Sequence, residues 1–376
     1  MHIPFNKPHF TGEELKIASR VPESGTVAGN GAFTKKCHDF FEKKYGFGKA
    51  LLTTSCTDAL EMAAILCDIR EGDEVIMPSY TFVSTANAFI LRGARVVFAD
   101  TLPDLPNIDP RQIESLITPK TKAIVVVHYA GIACDMDRIM ELARENNLKV
   151  VEDAAHAIDS YYYKKPLGSI GHFGTLSFHE TKNIICGEGG LLAINDKKDR
   201  ERAEIIWEKG TNRAAFYRGE VDKYGWVDIG SSFLPSDIMA AFLYSQLTHL
   251  DDIQAKRIAV WKMYHERLAL LEETGNLMLP RIPGFATNNG HIYYIVTNTP
   301  GERVALLKYL QKNDIQAIFH YLPLHESLYF HDQYHGSPLP NTLRFSECLV
   351  RLPLFYDLGE EEIEYITGKI IKFFGL

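Results

Sequence analysis

Residues 148–195 read LKVVEDAAHAIDSYYYKKPLGSIGHFGTLSFHETKNIICGEGGLLAIN. Three β-rich runs stand out in this stretch: LKVVEDA (148–154), TLSFHE (175–180) and GLLAIN (190–195). Toward the N-terminus lie four more runs of the same kind, KAIVVVH (122–128), ARVVFAD (94–100), EVIMPS (74–79) and KALLTTS (49–55). Several are continuous Val/Ile/Leu runs rather than alternations of apolar and polar residues, as expected of strands covered on both faces. Helical patterns lie between them, for example Leu60, Ala63, Ala64 and Cys67 at i, i+3, i+4, i+7. Strands alternating with helices predict an α/β unit with a mostly parallel, seven-stranded sheet.

Beyond residue 200 the pattern changes. Residues 236–272 predict one long helical segment that links two units. After Pro280 come IYYIVTNT (292–299), a helical GERVALLKYLQKN (301–313), QAIFHYLPLH (316–325), RLPLF (351–355) and a final helix from about residue 359. The expected division is a large domain over 1–250, including the N-terminal segment, and a smaller α+β domain over 251–376.

Composition narrows the function classes. Hydrophobic residues make up 46% and charged residues 23%, an ordinary globular balance. No apolar run approaches the length of a membrane span, and MHIPFNKPHF lacks the pattern of a secretory leader, so a cytoplasmic location is expected. The net charge of −8 disfavours a nucleic-acid partner. The six cysteines show neither C-x-x-C pairing nor zinc spacing with histidine, so reduced thiols and no metal site are expected.

Four features fall at the ends of predicted strands, where open α/β sheets bind ligands. In LLTTSCTDALEMAA a strand ends at Ser55-Cys56-Thr57 and a helix begins at once. The free N–H groups and dipole of that helix start attract a phosphate, although an N-cap role for Ser55 or Thr57 is the commoner use of such residues. No G-x-x-x-x-G-K-[ST] or G-x-G-x-x-G occurs there, which disfavours nucleoside triphosphates and dinucleotides. In VVEDAAHA, Asp153 could keep a pyridinium nitrogen protonated and His156 could meet a phenolic oxygen; alone, Asp153 reads as a helix cap and His156 as a packed histidine. In SFHETKNIICGEGG, Lys182 lies between an apolar strand and a glycine-rich turn, where desolvation would free its amine to form an imine. Ser177, five residues earlier, could reach the same phosphate. In PSYTFVSTANA, Phe82 could stack on a flat ring, though core packing is the usual task of a phenylalanine.

Together the strand–SCT–helix, PSYTFVST, VVEDAAHA and SFHETKN segments resemble the DegT/DnrJ/EryC1/StrS sugar-nucleotide aminotransferases, pyridoxal 5′-phosphate (PLP) enzymes of fold type I, with the aspartate-aminotransferase architecture. The resemblance runs from PFNKP (4–8) to HYLPLH (320–325). It implies that Lys182 carries the cofactor covalently, that Asp153 partners the pyridine nitrogen, and that Phe82 covers the ring. It implies further that His156 sits near the phenolic oxygen, and that Cys56, Thr57 and Ser177 hold the phosphate. Relatives usually have Gly or Ala where Cys56 stands, so the backbone N–H is the implied contact. Many relatives also read G-Y-N-Y-R-M, whose Asn crosses the dimer interface to the phosphate. This chain reads Gly230-Ser231-Ser232-Phe233-Leu234-Pro235, placing the shorter Ser232 at that position.

Two further segments, HYAGIACDMD (128–137) and EKGTNRAAFYRGEVDKYGWVDIGSS (208–232), look similar to family members that make TDP-4-amino-4,6-dideoxygalactose for enterobacterial common antigen. That resemblance implies TDP-4-keto-6-deoxyglucose as acceptor, L-glutamate as amino donor, and a homodimer with shared active sites. Lys209, Arg213, Arg218 and Lys223 would supply cations for the diphosphate, and His320, Tyr321 and His325 would contact sugar or nucleotide. Alternatives within the same frame are a 3-keto or UDP-linked sugar, a PLP-dependent sugar dehydratase and a non-catalytic sensor. Relatives that are dehydratases replace the lysine with histidine, and Lys182 is present.

Overall fold

The computed structural model describes residues 1–376. Its large sheet contains β1 (Ala50–Thr53), β2 (Glu74–Pro78), β3 (Arg95–Ala99), β4 (Thr121–Val127), β5 (Lys149–Asp153), β6 (Phe173–Ser177) and β7 (Gly190–Ile194). The spatial order is β1-β7-β6-β5-β4-β2-β3, and only β7 runs against its neighbours. The expected α/β class with a mostly parallel seven-stranded sheet is therefore observed. β1, β2, β5, β6 and β7 are buried almost throughout. Their two faces feed separate apolar cores, one around Phe41, Ile124, Val126 and Leu243, the other around Leu60, Val75, Val151 and Trp207. A sheet covered on both sides cannot alternate polar and apolar residues, which explains the continuous runs.

Glu152, next to Asp153, has no solvent exposure. It accepts from the N–H groups of Gly168, Ile170 and Gly171 at 2.6–2.8 Å and pairs with His128 Nε2 at 3.0 Å. The Cys134 N–H donates to His128 Nδ1 (3.2 Å), so Nε2 carries the proton that faces Glu152. Glu152 thereby ties the 168–171 loop to β5, while Asp153 faces the other way, toward the site.

The expected single helix over 236–272 is two helices, Asp237–Thr248 and Leu250–Glu273, broken at His249. His249 has φ −112° and ψ 13°, and its Nδ1 lies 3.1 Å from the Ser245 carbonyl. The second of these helices contributes Ile253 to a core of the large sheet and Val260, Tyr264 and Leu268 to another core. That other core surrounds a three-stranded antiparallel sheet of β8 (Leu277–Met278), β9 (Tyr293–Thr297) and β10 (Leu349–Leu352). Ile3 belongs to it too, and its N–H donates to Asp314 O at 2.8 Å. The first residues of the chain thus pack on the smaller sheet rather than the larger. A fourth cluster, with Tyr80, Tyr129, Tyr294 and Phe345, joins the carboxyl ends of the large sheet to the small one.

Candidate active site

A cavity of about 600 Å³ opens where the large sheet's strand ends meet the small sheet. The first wall is the start of helix α1 (Cys56–Leu66), which follows β1 directly. Ser55 is extended and caps the helix by accepting from the Asp58 N–H at 3.1 Å. The N–H groups of Cys56 and Thr57, in the first turn, have no acceptor within the helix, and both residues line the cavity. The Thr57 hydroxyl donates to Ser84 Oγ at 2.8 Å, which adds a second hydroxyl at the same edge. Gly190 explains how the helix start can sit so low on the sheet: a Cβ there would lie 2.4 Å from Cys56 N and from the Ser55 carbonyl. The GEGG segment is thus a close approach as well as a turn.

Asp153 ends β5 and is 6% exposed. Thr85 Oγ1 donates to its Oδ2 at 2.7 Å, and the Ala155 N–H reaches Oδ1 at 3.2 Å. Thr85 belongs to helix α2 (Val83–Ile90), and its hydroxyl lies 2.8 Å from that of Thr81. Burial pushes the Asp153 carboxyl up, against the opposing effects of Thr85, Ala155 and Lys182. A cationic N–H placed in the cavity would reverse that by supplying the missing charge.

Lys182 comes from the loop after β6. The expected strand over 175–180 ends early, at Ser177. His179 Nδ1 accepts from the Thr181 N–H (3.2 Å), and the Lys182 N–H donates to the His179 carbonyl (2.9 Å), which turns the chain. Asn183, 4% exposed, anchors the loop from the other side through Gln254 Oε1, the Asn289 carbonyl and His291 Nδ1 at 2.7–2.9 Å. Loss of hydration brings the Lys182 ammonium down to about 8; Cys56 and Asp153 oppose that shift and Arg351 adds to it. An amine so tuned has a substantial neutral fraction near physiological pH, as imine chemistry requires.

His156 is 7% exposed and its imidazolium is strongly disfavoured by burial. The Ala130 N–H donates to Nδ1 at 3.4 Å, leaving the proton on Nε2, which lies 3.3 Å from the Tyr321 hydroxyl. Phe82 caps α2, is 57% exposed and lines the cavity, with its ring 6.3 Å from that of Tyr321. Cys56, Thr57, Phe82, Asp153, His156, Ser177, Lys182, His320 and Tyr321 are therefore brought to one cavity.

Six expected site residues are elsewhere, Lys223 among them, exposed and outside the cavity. His325 is 7% exposed, bonds Ser79 Oγ through Nδ1 at 2.7 Å and packs on Phe98 and Tyr334; it is a structural histidine, outside the cavity. Arg218 is already engaged by Glu204 (2.9 Å) and Glu220 (2.8 Å), so it is not a free cation for a substrate. Lys209 and Arg213 are exposed, outside the cavity and free of acidic partners; Arg213 lies 5.2 Å over the Tyr217 ring. Ser232 is exposed too, in a bridge with Glu208. None of these three reaches the cavity of its own chain.

Sequence reasoning also passed over residues that line the cavity, among them Phe5, Ser84, Thr85, His179, His291 and Arg351. For Arg351 there was one usable signal, a charged residue inside the otherwise apolar run LVRLPLF (349–355).

Residues 8–371 match the DegT/DnrJ/EryC1/StrS aminotransferase family. The chain belongs to that family. It is 31% identical to the spore coat polysaccharide biosynthesis protein SpsC of Bacillus subtilis, over 98% of this chain and 96% of that one. Among solved structures it is similar to the aminotransferase TlmJ from Streptoalloteichus hindustanus, with a TM-score of 0.90, 29% identity and coverage of 99% and 98%. It is also similar to the putative sugar aminotransferase Spr1654 from Streptococcus pneumoniae in its PLP form, with a TM-score of 0.91, 26% identity and coverage of 99% and 98%. The enzyme is an aminotransferase of PLP fold type I, and its cofactor is PLP. The donor set in the cavity suits that group: free N–H groups and hydroxyls for a phosphate, a carboxylate for a pyridinium nitrogen and a desolvated amine for an aldehyde. No helix is long and apolar enough to cross a membrane.

Proposed function

We propose that this aminotransferase moves the amino group of L-glutamate to C4 of TDP-4-keto-6-deoxy-D-glucose. The products are 2-oxoglutarate and TDP-4-amino-4,6-dideoxy-D-galactose. The observation that carries the reading is the joining of Lys182, Asp153 and the α1 start in one cavity, with Lys209 and Arg213 exposed within the segment that carries the 208–232 resemblance. Those two cations have no acidic partner, as a site for a diphosphate requires. The same segment presents Tyr217 (69% exposed), Trp226 (84%) and Val227 (55%) to solvent. An apolar face of this kind favours a homodimer in which the segment, with Ser232, completes the partner's site. The cytoplasm, where keto sugar nucleotides are available, is the corresponding location.

When bound, PLP supplies an aldehyde that takes up an amine and a ring that accepts electrons from the neighbouring carbon. The chain's own groups do the rest. The Cys56 and Thr57 N–H groups, with the Thr57 and Ser177 hydroxyls, would hold the phosphate, and Asp153 would keep the ring nitrogen protonated. Phe82 would cover one ring face, and His156, neutral with Nε2–H, would donate to the phenolic oxygen. Lys182 Nζ, desolvated in the cavity, would be the base that takes the proton from the donor α-carbon and the acid that returns it. The same amine runs the transfer in reverse when the keto sugar enters, so ping-pong kinetics follow. Incubation with glutamate and TDP-4-keto-6-deoxyglucose, followed by NMR of the product, tests the reading. Nitrogen at C4 with the galacto configuration is expected; nitrogen at C3, or turnover confined to a UDP-linked sugar, contradicts it.

A further inference from the structure

Just ahead of β9, the buried stretch Asn289-Gly290-His291 ties together the two loops that carry Lys182 and His156. Asn289 Nδ2 donates to the carbonyls of His156 and Ile158, both at 2.8 Å. The Asn289 carbonyl accepts from Asn183 Nδ2 at 2.9 Å, and Asn183 follows Lys182 in the chain. Asn183 Nδ2 also donates to Gln254 Oε1 at 2.8 Å, so both its N–H groups are spent and its Oδ1 can only accept. His291 Nδ1, 2.7 Å from that oxygen, is therefore the donor. The His291 ring also lies 4.5 Å from the ring of His156. Little else fixes His156, since its bonds to the Ala130 N–H (3.4 Å) and the Tyr321 hydroxyl (3.3 Å) are both long.

The stretch is itself fastened to the helix Leu250–Glu273, where Gln254 and Arg257 lie one turn apart and are both buried. Arg257 donates to the carbonyls of Gly290, His291 and Leu354 at 3.0–3.4 Å. Gly290 has φ +61°, and a Cβ there would lie 2.7 Å from the Arg257 carbonyl group, so only glycine allows the backbones to come so close. A buried polar network paired this fully is rigid and costly to disturb. Burial first, then the neighbouring His156 and Lys182, disfavour the His291 imidazolium, so the ring stays a neutral donor to Asn183. His291 also lines the cavity, which places this network in contact with the site rather than behind it.

His291 therefore has two arms of different chemistry, a hydrogen bond toward the Lys182 loop and a ring face toward His156. We propose that His291 is a positioning residue, which sets the Lys182 loop through Asn183 and orients His156 through its ring. The amine and the histidine expected at the phenolic oxygen are thereby held in one register. The proposal rests on the cofactor contacts proposed above and needs no particular acceptor sugar.

Two variants part the arms. His291→Asn keeps an N–H near the place of Nδ1 but loses the ring, and His291→Phe keeps a flat ring but loses the donor. Both are compared with the natural PLP-loaded enzyme by cofactor absorbance at fixed pH without substrate, and by single-turnover conversion with glutamate. His291→Asn is expected to change the ratio of the cofactor's absorbance bands by roughly threefold to tenfold, the contribution of a ring contact. Its conversion by glutamate should fall by less than about threefold. His291→Phe should leave the band ratio in place and slow conversion by roughly tenfold to a hundredfold, as misplacement of a reacting group does. An unchanged band ratio in His291→Asn, or unchanged conversion in His291→Phe, would overturn the assignment. Loss of both readouts together in both variants would also overturn it, since that marks a merely structural histidine. Where a variant fails to fold, or glutamate does not convert the natural enzyme and the donor reading fails, hydrogen exchange on the natural enzyme decides. On PLP binding, amides in 154–158, 181–185 and 289–292 are expected to gain protection together; gains in the first two segments without the third would contradict the proposal. If His156→Ala leaves the band ratio unchanged, the placing of His156 at the cofactor fails, while His291→Phe still judges the arm to Lys182.

Discussion

The two walls of the cavity were built by different means. The large-sheet wall places Cys56, Asp153, Ser177 and Lys182 at or just beyond the ends of buried strands. The small-sheet wall brings His320, Tyr321 and Arg351 from a loop and a short strand more than 130 residues further along the chain. On the first wall Thr85 holds Asp153, and Asn183 anchors the loop that carries Lys182. On the second, Arg351 is left short of an anion. A preorganised wall suits a cofactor that stays bound, and an unsatisfied one suits a substrate that comes and goes.

Variants on the two walls, and outside them, should separate these roles. Asp153→Asn removes the charge proposed to hold the ring nitrogen protonated. It should lower kcat by roughly 10²- to 10³-fold in both half-reactions, as loss of a preorganised electrostatic partner does. An effect confined to one half-reaction would blur the distinction between the walls. The double variant Lys209→Gln/Arg213→Gln should raise KM for the sugar nucleotide by about tenfold, with glutamate unaffected, if those cations serve a diphosphate. Smallest of all, Arg218→Gln should alter either KM by less than about twofold, because Glu204 and Glu220 already occupy that guanidinium. A larger effect would return Arg218 to the substrate.

The first wall was legible because its residues sit where local pattern changes, from apolar strand to short polar residues or glycines. Asp153 after VVE and Lys182 before the GEGG turn are visible in one dimension. Family resemblance raised them above their commoner roles as cap and surface cation. The second wall depends on packing between sheets, which no local pattern encodes, so Arg351 read as part of a strand. His325 shows the opposite error: its motif matched HYLPLH, but a hydrogen bond to Ser79 holds its ring outside the cavity. Arg218 was misjudged for a similar reason, since neither Glu204 nor the geometry that lets it reach the guanidinium can be read from spacing. The break at His249 was hidden because apolar periodicity runs on through it.

The proposed chemistry converges on one atom, Lys182 Nζ. Its lowered pKa carries a sign that can be checked on cofactor-free protein. Between about pH 8 and the ordinary lysine value near 10.5 the unfolded chain binds more protons there than the folded one, so this group's contribution to stability rises with pH across that window. Cofactor loading should accelerate as pH rises through about 8, when the amine loses its proton. Borohydride reduction of the PLP-loaded enzyme, followed by peptide mass spectrometry, reads that atom itself. A stable pyridoxyl group is expected on Lys182 alone, and none on the Lys182→Ala protein; a label on another lysine, or turnover retained by that variant, would remove Lys182 from the chemistry.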